Sequence, residues 1–199
     1  MQDSPSRDTR IALALALTVR HDGQGGTADD LTDPAGLTAW VAAHPDAVPE
    51  AEAFAADAPT LAAVREVRAA ARALFARAVP GEPSPADATR LLPVPQALCR
   101  LNEAAARTPT VPVLAWADAA DPVVRAAPAQ GAPADLAATL AQAVIGFLAG
   151  PDRQRLRACH APRCVRYFLK EHPRQEWCKP SCGNRARVAR HQDRHRRAG

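Results

Sequence analysis

Four of the five cysteines fall between residues 159 and 182, in the order Cys159-x4-Cys164-x13-Cys178-x3-Cys182. Two close pairs joined by a short connection are what tetrahedral zinc requires. Each pair clamps two corners, and the chain between them folds back. Four thiolates leave no open corner, so one structural Zn2+ is expected at Cys159, Cys164, Cys178 and Cys182. Binding it would also order a segment of about 45 residues that is too small for a sizeable apolar core. His160, His172 and His191 lie close enough in sequence to enter such a site, but four thiols already fill it.

The second pair predicts its own local structure. Pro180 and Ser181 stand between Cys178 and Cys182, so a helix is expected to begin there. Cys178 then sits at its mouth and Cys182 in its first turn, facing the positive end of the helix dipole. Pro162 between Cys159 and Cys164 reads as a knuckle, and Val165–Leu169 with the residues before Trp177 as a short hairpin. Together these make a treble-clef-like finger with a basic C-terminal helix. At 100° per residue, Arg187, Arg190, Arg194 and Arg197 fall within about 80° of one another. The face holding Cys182, Ala186, Ala189 and Asp193 is expected to point away from them. Arg185, with Asn184 beside it, is expected on the metal side, supporting the thiolates by hydrogen bonds.

Charge separates this module from the rest. Residues 1–150 carry 11 Arg and Lys against 17 Asp and Glu, a net of −6. Residues 151–199 carry 14 against 4, a net of +10. We therefore read two domains, 1–150 and 151–199, an acidic body and a basic finger. Arg outnumbers Lys 23 to 2, a bias expected of a GC-rich bacterial genome, so no single Arg is functional on that ground alone.

The body reads as mainly α, with a lean core. Ala supplies 47 of its and the finger's residues together, and Leu, Ile, Val and Phe only 37. Ala is the strongest helix former. Helices are expected over 10–19 (where alternating Leu13, Leu15 and Leu17 also permit a strand), 34–44, 60–79, 86–106 with a break or kink at Pro93 and Pro95, and 134–149. Residues 21–33 read as a polar loop, and 111–126 as one small β-hairpin. Trp40 and Trp116 are expected to anchor the core, and Cys99 to be buried. No run reaches the ~18 apolar residues of a membrane span, and Ile11–Val19 lacks the flanks of a signal peptide. A cytoplasmic protein without membrane contact is expected.

The run Trp177-Cys178-Lys179-Pro180-Ser181-Cys182-Gly183-Asn184-Arg185 resembles the CGNR zinc-finger family. The first cysteine pair and Tyr167-Phe168 fit the same pattern. The preceding part resembles the ABATE domain that usually accompanies this finger. The likeness rests on the early apolar segment, Asp29-Asp30-Leu31, the Leu-x-x-Trp at Leu37–Trp40, and Leu101-Asn102. The resemblance implies a stress-induced transcription regulator, with the finger as DNA-binding element and the body as a sensing domain for an unknown effector.

The residues themselves point the same way. Concentrated positive charge neutralises phosphates and releases their counterions, so Arg187, Arg190, Arg194 and Arg197 are expected to contact DNA. Arg163, Arg166 and Arg174 would add outlying charge. Two rivals stand beside this reading. An RNA-binding protein would stack Tyr167, Phe168 and Trp177 on unpaired bases. An adaptor would use the basic helix to hold an acidic protein. An enzyme is not expected, because no nucleophile–base pair is visible and the metal site is closed.

Overall fold

The computed structural model describes residues 5–24, 26–47, 53–118, 121–132 and 134–198. Four helices build the body: α1 (Arg7–Leu17), α3 (Ala58–Ala78), α5 (Val94–Ala106) and α6 (Leu136–Ala149), with the shorter α2 (Pro34–Ala42) and α4 (Pro85–Ala88) at their margins. Local chemistry starts most of them. Ser6, Asp33, Asp57 and Asp135 are N-caps, each accepting a hydrogen bond from a backbone N–H three residues on, which satisfies one otherwise orphaned donor.

Buried Ile11, Ala12, Leu15 and Ala16 recur every three or four residues in α1. The alternation of leucines therefore gives way to a helix. In α3, Leu61, Val64, Val67, Ala71, Leu74 and Phe75 line the core. Phe75 meets Phe147 of α6 edge-on, with ring centroids 5.1 Å apart. Buried alanines on α3, α5 and α6 let the helices pack with few large side chains.

Several expectations are corrected. The helix expected over 86–106 is broken rather than kinked at its prolines: Pro93 is the N-cap residue of α5, and Pro95 lies in its first turn, where a missing N–H carries no penalty. The expected loop at 21–33 contains a hairpin, β1 (Val19–His21) with β2 (Thr27–Asp29), in the register Val19↔Asp29. Asp22 closes it by accepting from the N–H groups of Gln24 and Gly26 at 2.7 and 3.0 Å. Trp40 is buried, but Trp116 is 70% exposed just beyond β3. Cys99 is also exposed and donates its thiol hydrogen to Glu103 at 3.0 Å. Cys99 faces the outer side of α5, and Trp116 follows a strand that no other described element covers. The hairpin β3 (Thr110–Ala115) with β4 (Val123–Pro128) forms in antiparallel register. Among the described residues, no helix is long and apolar enough to cross a membrane.

After α6 the chain enters the basic module through a short turn at Pro151–Arg155. There β5 (Leu156–Ala158) pairs antiparallel with β6 (Tyr167–Leu169), and α7 (Pro180–Ala198) follows. β6 thus turns back on the strand before the knuckle, not on the residues before Trp177. Pro173 and a run of charged residues suit that later segment to a loop, which Gln175 closes by accepting from Glu171 N–H at 2.8 Å.

The alternation of β6 joins two cores. Tyr167 and Leu169, with Leu156 and Ala158 of β5, pack into the body's core. Phe168 faces a second, small core with Cys159, Ala161, Cys164 and Cys182. Packing therefore runs continuously across the change of composition near residue 150.

Candidate metal centre

The knuckle forms at the tip of the β5–β6 hairpin. Cys159 N–H donates to Arg166 O and Cys164 N–H to Ala161 O, both at 2.9 Å. The turn is tight enough to hold Arg163 at φ +64°, a left-handed conformation that costs an L-residue about 1 kcal/mol. Across the gap, Cys182 N–H donates to Lys179 O at 3.0 Å in the first turn of α7. Trp177 lies against Gly183, where an added Cβ would come within 3.0 Å of the indole. That close approach favours a glycine, and the Trp packs against the cysteines.

The four sulfur atoms all lie within 4.8 Å of one another. Cys164–Cys178, Cys178–Cys182 and Cys182–Cys164 are 3.8, 3.5 and 3.9 Å apart. A tetrahedron with Zn–S bonds of about 2.3 Å has edges of about 3.8 Å, so the donor set matches one zinc ion. Disulfides require about 2.05 Å, and all four cysteines are free. Hydrogen bonds from Cys164 and Cys178 pull the Cys159 thiol far below its usual range, while Cys159 pushes Cys164 up to about 11. Thiols this crowded resist ionising together, and a divalent cation removes that obstacle. Arg185 is half-buried and places Nη2 3.3 Å from Cys182 Sγ, where it tempers thiolate charge. Asn184 faces the other way, accepting from Arg187.

The body grips this knuckle through a buried polar network that sequence reasoning missed. Ser84 donates its hydroxyl to Cys164 O, and Arg72 donates to Val165 O at 2.8 Å. Arg72 also binds Asp87 at 2.6 Å and Ala16 O near the end of α1 at 2.7 Å. Tyr167 closes the set by donating its hydroxyl to the other oxygen of Asp87 at 2.9 Å. Burial, and then the charge of Asp87, push the phenol's pKa up and keep it a donor. Ser84 and Asp87 share the turn that starts α4, whereas Arg72 lies on α3 and the carbonyls they hold are far along the chain, so no local spacing pointed to the network.

Two comparisons with known proteins follow from this geometry. Residues 9–151 match the ABATE family model, described as "Putative stress-induced transcription regulator". Residues 155–195 match the CGNR zinc finger model. The chain belongs to the ABATE family and carries a CGNR zinc finger. No curated protein matches it. The CGNR finger holds one structural zinc through Cys159, Cys164, Cys178 and Cys182.

The basic residues of the CGNR finger are not gathered in one place. Arg187, Arg190 and Arg194 are exposed and line one shallow groove on α7. Asp193 lines the same groove. This corrects its placement on the metal side: three residues beyond Arg190, it falls on the adjoining row, so the metal face and the stripe are neighbours around the helix. Arg197 continues the helix, and its side chain lies outside the described residues. Arg163 and Arg174 are exposed on the knuckle and the following loop, whereas Arg166 is half-buried in a cleft between β6 and α1 that Leu13 and Leu17 also line. Tyr167 and Phe168 are buried, so neither is free to stack on a base. His191 rests its ring against His195, away from the cysteines.

Proposed function

We propose that the protein is a DNA-binding transcription regulator in which zinc shapes the finger and α7 meets the phosphate backbone. The observation that carries this is the groove where Arg187, Arg190 and Arg194 stand exposed together, on a helix whose start is pinned by Cys182. A zinc-anchored helix end gives these guanidiniums a fixed position relative to the body. Forks of this kind bind phosphate oxygens in pairs. Arg163, Arg174 and Arg197 add positive charge at the margins. Asp193 weakens the local field and disfavours contact wherever phosphates do not outweigh it.

Duplex DNA is favoured over single-stranded RNA because Tyr167 and Phe168 are committed to the two cores, leaving only half-buried Trp177. The role of the metal is structural, and no catalytic residue is assigned. On this reading the protein works in the cytoplasm beside the nucleoid, and the ABATE body carries the response to stress. An acidic protein partner would meet the same arginines, and insensitivity of complexes to nuclease would favour it.

The test is a salt titration of binding to a DNA duplex. Three phosphate contacts give a slope of log K against log[salt] of about −2.7. Replacing Arg187, Arg190 and Arg194 by Ala should flatten the slope and abolish measurable binding while zinc content stays the same. Unchanged affinity in that variant would overturn the proposal.

A further inference from the structure

The β3–β4 hairpin stands out from the rest of the surface. Leu114, Trp116 and Val124 are 64, 70 and 72% exposed, and Val111, Val113 and Val123 are exposed beside them. Single exposed apolar side chains are ordinary, but here both faces of one hairpin are uncovered, Leu114 and Val124 on one and Val111, Val113 and Val123 on the other, and apolar area on this scale marks a contact surface. At the hairpin's base lies a cleft of about 1270 Å³. Val123, Val124 and Ala126 of β4 form one wall, and Ala143, Ile145 and Gly146 of α6 form the other.

The two strands differ in their free edges. Pro112 sits in the middle of β3, opposite Ala126, and proline offers no N–H to a neighbouring strand. β4 runs from Val123 to Pro128 with no proline in its interior, so its outer edge keeps its donors. The strand with the open edge supplies three residues to the cleft, and β3 supplies Thr110.

Charge narrows the occupant. The six exposed apolar side chains carry none, and besides Arg125 of β4 the hairpin's charges are Asp118 and Asp121, both exposed towards its tip, for a net of −1. Phosphate of nucleic acid or of an anionic membrane would be repelled there. Arg7 lies at the cleft, where one guanidinium nitrogen donates to Asp46 O and the rest of the fork offers positive charge, while Asp8 beside it turns onto Gly146, whose missing Cβ leaves room for its carboxylate.

We infer that two copies of this chain exchange hairpins. The arm of each enters the other's cleft between β4 and α6, and its acidic tip approaches the other copy's Arg7. A two-fold arrangement uses the same arm and the same cleft twice, so one contact covers both apolar surfaces on both copies and closes on itself. Trp116 presents roughly 150 Å² to such a contact. With the five aliphatic side chains and the cleft walls, both copies together bury roughly 1,500–2,000 Å², the size of a standard specific interface. The dimer carries two α7 helices, but the inference stands on the body alone and does not depend on DNA binding.

Sedimentation of the zinc-loaded full chain tests it, in reductant and without nucleic acid, from about 1 to 100 µM. The wild type should sediment as a dimer at the upper concentrations. Leu114→Glu with Val124→Glu should raise the dimer dissociation constant at least about 100-fold, since each copy would bring two charges, four in all, into an apolar contact. Both positions are exposed in the single chain, so zinc content and helical circular dichroism should match the wild type. A wild type that stays monomeric throughout overturns the inference, as does a double variant that dimerises as well as the wild type.

Discussion

The body and the finger solve the same problem by different means. The body hides apolar area: α1, α3, α5 and α6 enclose Ile11, Leu15, Val64, Phe75, Leu101, Leu140 and Phe147. The finger has almost nothing to hide, and three of the five buried residues of its own core are cysteines. Metal replaces burial there. β6 belongs to both, because its alternation sends Tyr167 and Leu169 one way and Phe168 the other. The contrast shows that a segment with too little core to fold alone can still complete a neighbour's core.

The largest effect should come from removing the metal. Cys164→Ser, or zinc removal by a chelator, should unfold the finger, since structural zinc supplies about 10–16 kcal/mol of folding free energy. If the two cores share β6, the body must weaken as well. Loss of Leu156, Tyr167 and Leu169 from its core should destabilise it by about 5 kcal/mol, at roughly 1.5–3 kcal/mol per apolar side chain. Thermal unfolding followed in the body, with and without zinc, checks this. A body that melts at the same temperature in both forms would separate the two cores.

A smaller effect is expected at the polar grip between them. Arg72→Met leaves Asp87 buried without its cation and should cost about 3–5 kcal/mol. Tyr167→Phe keeps the ring in the core but withdraws one donor from Asp87, which should cost about 1–3 kcal/mol. Urea denaturation of the two variants ranks them, and the reverse order would mean that the Tyr167 hydroxyl, not the Arg72 ion pair, is the main tie on Asp87.

The smallest effect has the opposite sign. Arg163→Gly relieves a left-handed backbone in the knuckle and should stabilise the finger by about 1 kcal/mol. The same change removes one positive charge, so DNA affinity should fall slightly while the denaturation midpoint rises. A lower midpoint would show that the Arg163 side chain supports the knuckle in a way its exposure does not reveal.

Much of the metal centre was legible because its chemistry is local. Cysteine spacing, Pro162 in the knuckle and Pro180 at the start of α7 lie within a few residues of the atoms they organise. The cap at Asp33 was legible for the same reason, since it acts on an N–H three residues away and precedes Pro34, whereas the long helix was expected from residue 60 and the cap at Asp57 was missed. The hairpin at Val19–Asp29 was missed because Asp22 closes a turn that looks like polar loop composition. Trp116 and Cys99 were misplaced because hydrophobic character predicts burial only where a neighbouring element arrives to cover it.

By itself, then, the sequence determined a mainly helical body, a four-thiolate zinc finger and a basic helix, since each follows from residue spacing along one stretch of chain. Only the tertiary structure decided that Tyr167 serves the body's core, that Arg72 and Ser84 hold the knuckle's carbonyls, and that the β3–β4 arm remains uncovered. Those outcomes depend on which faces meet. Periodicity states which residues share a face, but contact between faces distant in sequence is settled by the packing of the whole chain.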